Sequence, residues 1–88
     1  MSYKLVIDDK AKKQLKKIDH SQGQIIANWI DKNLVGAVDP RQLGKALTGN
    51  LKGFWRYRVG SYRILAEISD DVVTIFIIDI DHRSKVYL

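Results

Sequence analysis

Apolar residues recur at regular spacings along the first half of the chain, and the spacing changes from one segment to the next. Over residues 3–7 they occupy every second position, which is the period of a strand with one buried face. Over residues 10–18 they stand three or four positions apart among lysines, which predicts a short basic helix capped by Asp8 or Asp9. The chain is therefore expected to open with a strand and a helix.

Two further helices are predicted before the middle of the chain. A wider apolar stripe over residues 25–34 predicts a helix with Ser21 as its N-cap and Gly36 as its end. This helix and the one before it are expected to form a hairpin. The Asp-Pro pair at residues 39–40 fits an N-cap with proline in the first helical position, which predicts a brief third helix over residues 40–47.

The second half of the chain has the alternation that is typical of strands. Residues 54–59, 62–68 and 72–81 are three predicted strands. A Gly-Ser pair at residues 60–61 suits a two-residue hairpin turn, and an Asp-Asp pair at residues 70–71 suits a second tight turn. The predicted fold class is α+β: an N-terminal strand, a helical hairpin and a three-stranded antiparallel meander form one twisted sheet with the helices on one face.

The first turn of this meander predicts a cluster of arginines. With a two-residue turn, Arg58 lies opposite Arg63, and Arg56 lies on the same face two positions earlier. Like charges that face each other destabilise a sheet by about 0.2–1 kcal/mol. An anionic partner would relieve this repulsion, whereas the simpler interpretation is that the arginines solvate the outer face with Glu67 as an internal partner.

The second turn predicts how the last strand of the meander pairs. Glu67, Ile80 and His82 are expected on the face that carries the arginines. The other face is apolar, and the helices are expected to cover it with Trp29 and Trp55 packed in between. Its predicted cross-strand pairs are Ile64 with Ile77, Ala66 with Ile75 and Ile68 with Val73.

Composition limits the class of protein. The 88 residues suffice for one hydrophobic core, so the chain is interpreted as a single domain over residues 1–88. It contains no cysteine, and neither a disulfide, a metal nor a cofactor is expected. No apolar segment has the length of a signal peptide or a membrane span, which predicts a cytoplasmic protein without a membrane partner.

Charge favours a polyanionic partner or an acidic protein, because the net charge is +5. Lysines dominate the first third of the chain, whereas all five arginines lie within residues 41–83. Guanidinium is the better planar, bidentate ligand for phosphate. We therefore interpret the arginines as the functional set and the lysines as solvating residues.

His82, Arg83 and Tyr87 place an imidazole, a guanidinium and a phenol within six residues of one another. Cleavage of RNA by its own 2′-hydroxyl needs a base, cations for the phosphorane and an acid for the leaving oxygen. An aromatic ring can also stack on a nucleobase. Taken singly, His82 is more simply a surface imidazole at a strand end, and Tyr87 an aromatic residue packed on the sheet.

Residues 51–68 and 80–87 together resemble the signature of the RelE/ParE toxin superfamily. The first segment has a leucine–basic–glycine opening, a basic hairpin strand and Gly-x-Tyr-Arg at the turn, and the second contains His-Arg-x-x-Val-Tyr. The order of predicted elements is also similar, so the resemblance covers essentially the whole chain. Asp81 stands where the family usually has glycine, which bears on how His82 and Arg83 are presented.

The resemblance implies a RelE-type toxin of a type II toxin–antitoxin system, a metal-independent and ribosome-dependent endoribonuclease that cleaves messenger RNA by 2′-hydroxyl attack. Arg63 would contact the scissile phosphate, and Tyr87 would stack on or activate the substrate nucleotide. His82 and Glu67 resemble an acid–base pair. The implied catalytic residues are Arg63, Arg83, Tyr87, His82 and Glu67, and the implied RNA-binding residues are Lys52, Arg56 and Arg58.

The same resemblance implies three partners: a cognate antitoxin, messenger RNA on the ribosome, and ribosomal RNA. The antitoxin is expected to supply an acidic stretch and an amphipathic helix that wraps the toxin. Two alternatives stay open at this point. One is a ParE-like inhibitor of DNA gyrase, a binding module rather than an enzyme, and the other is a degenerate toxin retained for binding its antitoxin.

Overall fold

A computed structural model describes residues 2–82 as two helices packed on one face of a five-stranded sheet. The elements are β1 (Lys4–Ile7), α1 (Asp9–Lys17), α2 (His20–Asn33), β2 (Lys45–Ala46), a single 3-10 turn (Gly49–Leu51), β3 (Trp55–Val59), β4 (Tyr62–Ser69) and β5 (Thr74–His82). The strand order is β1-β5-β4-β3-β2, with β1 parallel to β5 and the other neighbours antiparallel. The predicted α+β class is confirmed. No helix within residues 2–82 is long and apolar enough to cross a membrane.

The hydrophobic core lies between the helices and one face of the sheet. Trp29 of α2 packs against this core and meets Tyr57 of β3, with ring centroids 5.6 Å apart. Trp55 is half-buried at the start of β3 and also packs against the core. Both tryptophans therefore pack on the core as predicted, and Trp29 joins a helix to the sheet. The fully buried residues of the cluster include Ala11, Ile26, Leu34, Tyr57, Ile64, Ala66, Ile75, Ile77 and Ile80.

The second helix begins earlier than expected. Its N-cap is Asp19, and Ser21 lies within the first turn, so the assignment of Ser21 as N-cap is wrong. Asp19 has a non-helical backbone with a ψ of 135°, and its carboxylate accepts a hydrogen bond from the Ser21 hydroxyl at 2.6 Å. The end of the helix agrees with the prediction, because Gly36 follows it with a φ of +71°.

The third helix predicted over residues 40–47 is wrong. Asp39 does accept a hydrogen bond from the backbone N–H of Arg41 at 3.1 Å, but this closes a turn and no helix follows. The Tyr57 hydroxyl donates a hydrogen bond to the carbonyl of Pro40, and the Trp55 indole donates one to the carbonyl of Leu43 at 2.7 Å. Because strand β3 binds these carbonyls, the segment is held irregular and leads into β2.

The hairpin between β3 and β4 agrees with the prediction residue by residue. Val59 pairs with Tyr62, and Arg58 pairs with Arg63. Gly60 has a φ of +58°, the left-handed conformation that tight hairpin turns need and that glycine adopts without strain. Two residues of turn therefore suffice, and the register that places the arginines together follows from the sequence.

The turn between β4 and β5 has four residues instead of two, which corrects the predicted register. Ser69 pairs with Thr74, so residues 70–73 form the turn. A β-bulge then adds one more residue on β5, where Leu65 pairs with Asp79 and Ala66 with Ile77. The observed apolar pairs are Ile64 with Ile80, Ala66 with Ile77 and Ile68 with Ile75, in place of the predicted ones.

The bulge changes which side chains of β5 share a face. An extra residue in a strand reverses the alternation beyond it. Ile80 is therefore buried in the core, and His82 pairs with Tyr62 on the side of the helices. The prediction that Ile80 and His82 lie on the arginine face is wrong. Asp81 takes their place there, opposite Arg63.

Gln14 of α1 holds the segment that follows the bulge. Strand β1 pairs with β5 only as far as Ile77. Beyond it, the Gln14 side-chain oxygen accepts the backbone N–H of Ile80 at 2.8 Å, and its amide nitrogen donates to the Asp79 carboxylate. Lys10 Nζ lies 3.6 Å from the same carboxylate. A helix side chain thus supplies the backbone partner that the edge strand no longer provides.

The hydrogen bonds of Asp70 join three parts of the chain, and from them we expect a loss of stability in acid. Its carboxylate accepts the Tyr3 hydroxyl at 2.6 Å and Arg41 Nη1 at 3.0 Å. These two bonds, Tyr3 first, hold the pKa of Asp70 below its ordinary value. Because the folded pKa is depressed, the stabilisation is complete above about pH 4 and disappears as the pH falls through the folded pKa.

We therefore expect Asp70→Asn to lower the melting temperature at pH 7, and the difference from wild type to shrink as the pH falls below about 4. Asp71→Asn, at the exposed neighbour in the same turn, is the matched control. The measurement is thermal unfolding from pH 7 to pH 3. A constant difference between wild type and Asp70→Asn over this range would contradict the expectation.

Candidate nucleic-acid interface

The face of the sheet that turns away from the helices carries a compact group of cations. Arg56 and Arg58 are two positions apart on β3, and Arg58 pairs with Arg63 on β4. Lys45 of β2 pairs with Arg56, so its side chain belongs to the same face. We call these four residues, Lys45, Arg56, Arg58 and Arg63, the cationic face.

The arginines of the cationic face are close enough to affect one another. Burial lowers the pKa of Arg56, and the charges of Arg58 and Arg63 lower it further. Repulsion from Arg58 and Arg63 is thus a smaller contribution than burial to the lowered pKa of Arg56. A bound anion would reverse the sign of this interaction.

Arg63 has an unsatisfied donor at the β4 side of this group. Its Nε is buried, and it has no hydrogen-bond partner within residues 2–82. Arg63 also lines a narrow slot together with three leucine side chains. A buried donor without a partner costs about 1–3 kcal/mol, which an anionic ligand would recover. The side chains that line this slot are Leu47, Leu51, Leu65, Arg56 and Arg63 itself.

Lys45 is a member of the cationic face that the sequence analysis missed. The sequence predicted a helix over residues 40–47, and a lysine on that helix would not have shared a sheet face with the arginines. The signal that could have found it is Gly44, which has a φ of +81° and therefore does not continue a helix. A Cβ at Gly44 would stand 2.3 Å from the carbonyl oxygen of Arg56, so only glycine permits this approach of β2 to β3.

The structure does not bring Glu67 and His82 together. Glu67 is exposed on the open face, opposite Phe76. His82 stands six residues beyond Phe76 on β5, or roughly 20 Å by the rise of a strand, and on the other face. Its ring meets Tyr62 edge-on, with centroids 5.2 Å apart. These two residues therefore cannot share one substrate atom as an acid–base pair.

The remaining predicted residues lie at the margin of the described chain or outside it. Lys52 is exposed and follows Leu51, which lines the slot around Arg63. Arg83 and Tyr87 lie outside the described residues. Within residues 2–82, no three histidine, aspartate or glutamate side chains are grouped so that they could hold a metal ion. The described site offers a ligand the charge and donors of three guanidinium groups, with one carboxylate, that of Asp81, opposite Arg63.

Comparison with known proteins identifies the family. A family model described as the ParE toxin of type II toxin–antitoxin system, parDE, matches residues 5–87. Toxin RelG of Mycobacterium tuberculosis is 39% identical over 49 residues, which are 56% of this chain and 56% of that protein. The matched segment thus spans little more than half the length of this curated relative.

Solved structures show the same fold. A chain in the crystal structure of the toxin–antitoxin complex RelBE2 from Mycobacterium tuberculosis superposes with a TM-score of 0.84 at 28% identity, covering 94% of this chain and 100% of that one. A mutant of the E. coli toxin RelE in the free state superposes with a TM-score of 0.75 at 22% identity, covering 98% and 88%. With a family model that matches nearly its whole length, this chain belongs to the RelE/ParE superfamily of toxins from type II toxin–antitoxin systems.

Proposed function

We propose that this toxin is a metal-independent endoribonuclease that cleaves messenger RNA on the ribosome. One observation carries the proposal: three arginines converge on the open face, and the buried Nε of Arg63 has no partner within residues 2–82. Preorganised donors of this kind stabilise negative charge that develops in a transition state. The phosphodiester backbone is the polyanion that best fits a row of guanidinium groups.

The reaction is transesterification within the RNA. The ribose 2′-oxygen loses its proton to a base and attacks the adjacent phosphorus, the bond to the 5′-oxygen breaks, and that oxygen receives a proton from an acid. The products are a 2′,3′-cyclic phosphate and a 5′-hydroxyl. Arg63 binds the scissile phosphate through the pentacoordinate stage, while Arg56 and Arg58 hold its charge and that of the neighbouring backbone. Arg83 is proposed to add a further cation.

Both proton transfers are assigned to Tyr87 in this proposal: its phenolate oxygen takes the proton of the 2′-hydroxyl, and the phenol so formed gives a proton to the leaving 5′-oxygen. Glu67 lies four residues from Arg63 along β4, roughly 13 Å away, and is too distant to act on a phosphate held there. His82 points to the helix side of the sheet, where it meets Tyr62. Tyr87, whose position lies outside the described residues, also has the aromatic ring that can stack on a nucleotide. Ribosomal RNA is proposed to hold the message in line for attack, since alignment of the 2′-oxygen with the phosphorus accelerates the reaction.

The alternative is a ParE-like inhibitor of DNA gyrase. Two observations favour it. The family model that matches residues 5–87 is named for the ParE toxin, and the separation of Glu67 from His82 removes one expected acid–base pair. The test is induction in a bacterial host followed by mapping of transcript ends. Cuts at defined positions within codons support the ribonuclease, whereas DNA–gyrase complexes without such cuts overturn it in favour of the ParE branch.

The proposal includes a cognate antitoxin, as the RelBE2 relative is found in a toxin–antitoxin complex. A net charge of +5 and an uncovered cationic face call for an acidic segment, carried by an amphipathic helix that wraps the toxin.

Association of toxin and antitoxin should therefore slow as salt rises, because opposite charges that steer the encounter are screened. We expect the association rate to fall about tenfold or more between low and high ionic strength, as measured by stopped-flow fluorescence. Dissociation should change less, and an association rate that is independent of salt would contradict the acidic segment.

A further inference from the structure

Lys45 extends the cationic face toward the edge of the sheet. It pairs with Arg56 in one row, and Arg58 pairs with Arg63 in the next row on the same face. We propose that Lys45 is a further RNA-binding residue, which holds a backbone phosphate at least two nucleotides from the scissile one. This inference rests on the proposed function, since Arg63 marks the scissile phosphate.

The distance between the two residues sets how far the RNA must reach. Lys45 is two strands from Arg63 across the sheet and two residues away along it, which amounts to roughly 12 Å between their backbones. Phosphates of one stacked strand are about 3.4 Å apart along the axis, and further apart when the strand is extended. Lys45 and Arg63 therefore contact different phosphates, with the intervening ones over Arg56 and Arg58.

The backbone of Lys45 is held in place from both sides. Before it, Gly44 lies against the Arg56 carbonyl in a space that no other residue fits, and the Trp55 indole binds the carbonyl of Leu43 at 2.7 Å. After it, the backbone N–H of Leu47 donates to the carbonyl of Phe54 at 3.1 Å. An exposed lysine on a mobile loop would contribute little, but this one is presented at a fixed place beside the arginines.

The charge of Lys45 is tested by Lys45→Gln, with Lys4→Gln as the matched control. Lys4 is also exposed on the open face, but it lies on β1 at the opposite edge of the sheet. On programmed ribosomes, we expect Lys45→Gln to lower kcat/KM about threefold to tenfold and to leave the single-turnover rate at saturation nearly unchanged. Lys45→Arg should restore kcat/KM, and Lys4→Gln should match wild type.

The contacted phosphate is located by a series of messages that each carry one neutral methylphosphonate, placed two to four positions on either side of the cleaved bond. At one position, the methylphosphonate should lower kcat/KM for wild type and have no further effect on Lys45→Gln, because both changes remove the same contact. Additive losses at every position, or an effect of Lys45→Gln equal to that of Lys4→Gln, would overturn the inference.

Failure of the proposed function gives a different result. If wild type cleaves ribosome-bound messages but Lys45→Gln behaves like Lys4→Gln, the proposed ribonuclease activity is supported and the role of Lys45 is contradicted. If wild type cleaves nothing, binding of single-stranded RNA still tests Lys45. The slope of log K against log salt is negative, and a fall of about 0.7 in its magnitude for Lys45→Gln, with no change for Lys4→Gln, would support the contact. RNA binding that is absent, or unchanged in Lys45→Gln, would overturn it.

Discussion

Replacing Arg63 by alanine is expected to lower single-turnover cleavage of a message on programmed ribosomes by about 10²–10³. The loss of one preorganised donor to a developing oxyanion typically removes roughly 2.7–4 kcal/mol of transition-state stabilisation. Arg63 is the member of the cationic face with the buried, unsatisfied Nε, so it has the most to gain from the charge that builds up on the phosphate. The effect should appear in kcat, because the interaction strengthens in the transition state.

The fold of Arg63→Ala should survive. The substitution removes the repulsion with Arg58 and a buried donor that has no partner within residues 2–82. It also removes the cation opposite Asp81, an opposing effect of similar size, so we expect a melting temperature close to that of wild type. The matched control is Arg41→Ala, which removes an arginine that pairs with Asp70 away from the cationic face. Once corrected for the folded fraction, this control should cleave normally, and a well-folded Arg63→Ala protein with undiminished cleavage would remove the catalytic assignment.

Trp29→Ala is expected to lower the free energy of unfolding by about 3 kcal/mol. Removal of a packed tryptophan costs about 3–5 kcal/mol, and the half-buried position of Trp29 places it at the lower end. The ring lies between α2 and the sheet and meets Tyr57, which is fully buried and binds the carbonyl of Pro40. Burial raises the pKa of Tyr57 to about 12, so its hydroxyl keeps the proton that it donates.

Chemical denaturation of wild type, Trp29→Ala and Trp29→Phe measures this contribution. Phenylalanine keeps a ring against Tyr57 and should recover most of the lost stability. Cleavage per folded molecule should stay within a few-fold of wild type, because the role of Trp29 is to pack the helices on the sheet. A Trp29→Ala protein of normal stability that fails to cleave would contradict the structural role.

Local sequence determined the part of the site that lies within one hairpin. The alternation along β3 and β4, together with a glycine that accepts a positive φ, specifies a two-residue turn. Once this turn is known, the pairing of Arg58 with Arg63 and the position of Arg56 follow without any distant contact. The resemblance to the toxin superfamily comes largely from the same segment, which is why family and arginine cluster were both accessible from the residues alone.

Contacts between distant segments decided the rest. The bulge in β5 is held by Gln14 of α1, 66 residues away from Ile80 along the chain, and it reverses the side on which His82 lies. A pairing rule applied to the turn alone cannot include that contact, so Glu67 and His82 were expected on one face.

Lys45 depended on tertiary structure in the same way. The Asp-Pro pair at residues 39–40 does favour the start of a helix, and Asp39 does close a local turn. The hydrogen bonds of Tyr57 and Trp55 to the carbonyls of this segment come from β3, and their geometry directs the chain into β2. Residue patterns thus determined which side chains one hairpin brings together. Long-range hydrogen bonds determined which other charged side chains lie beside them, because a backbone carbonyl bonds to whichever donor the folded chain places next to it.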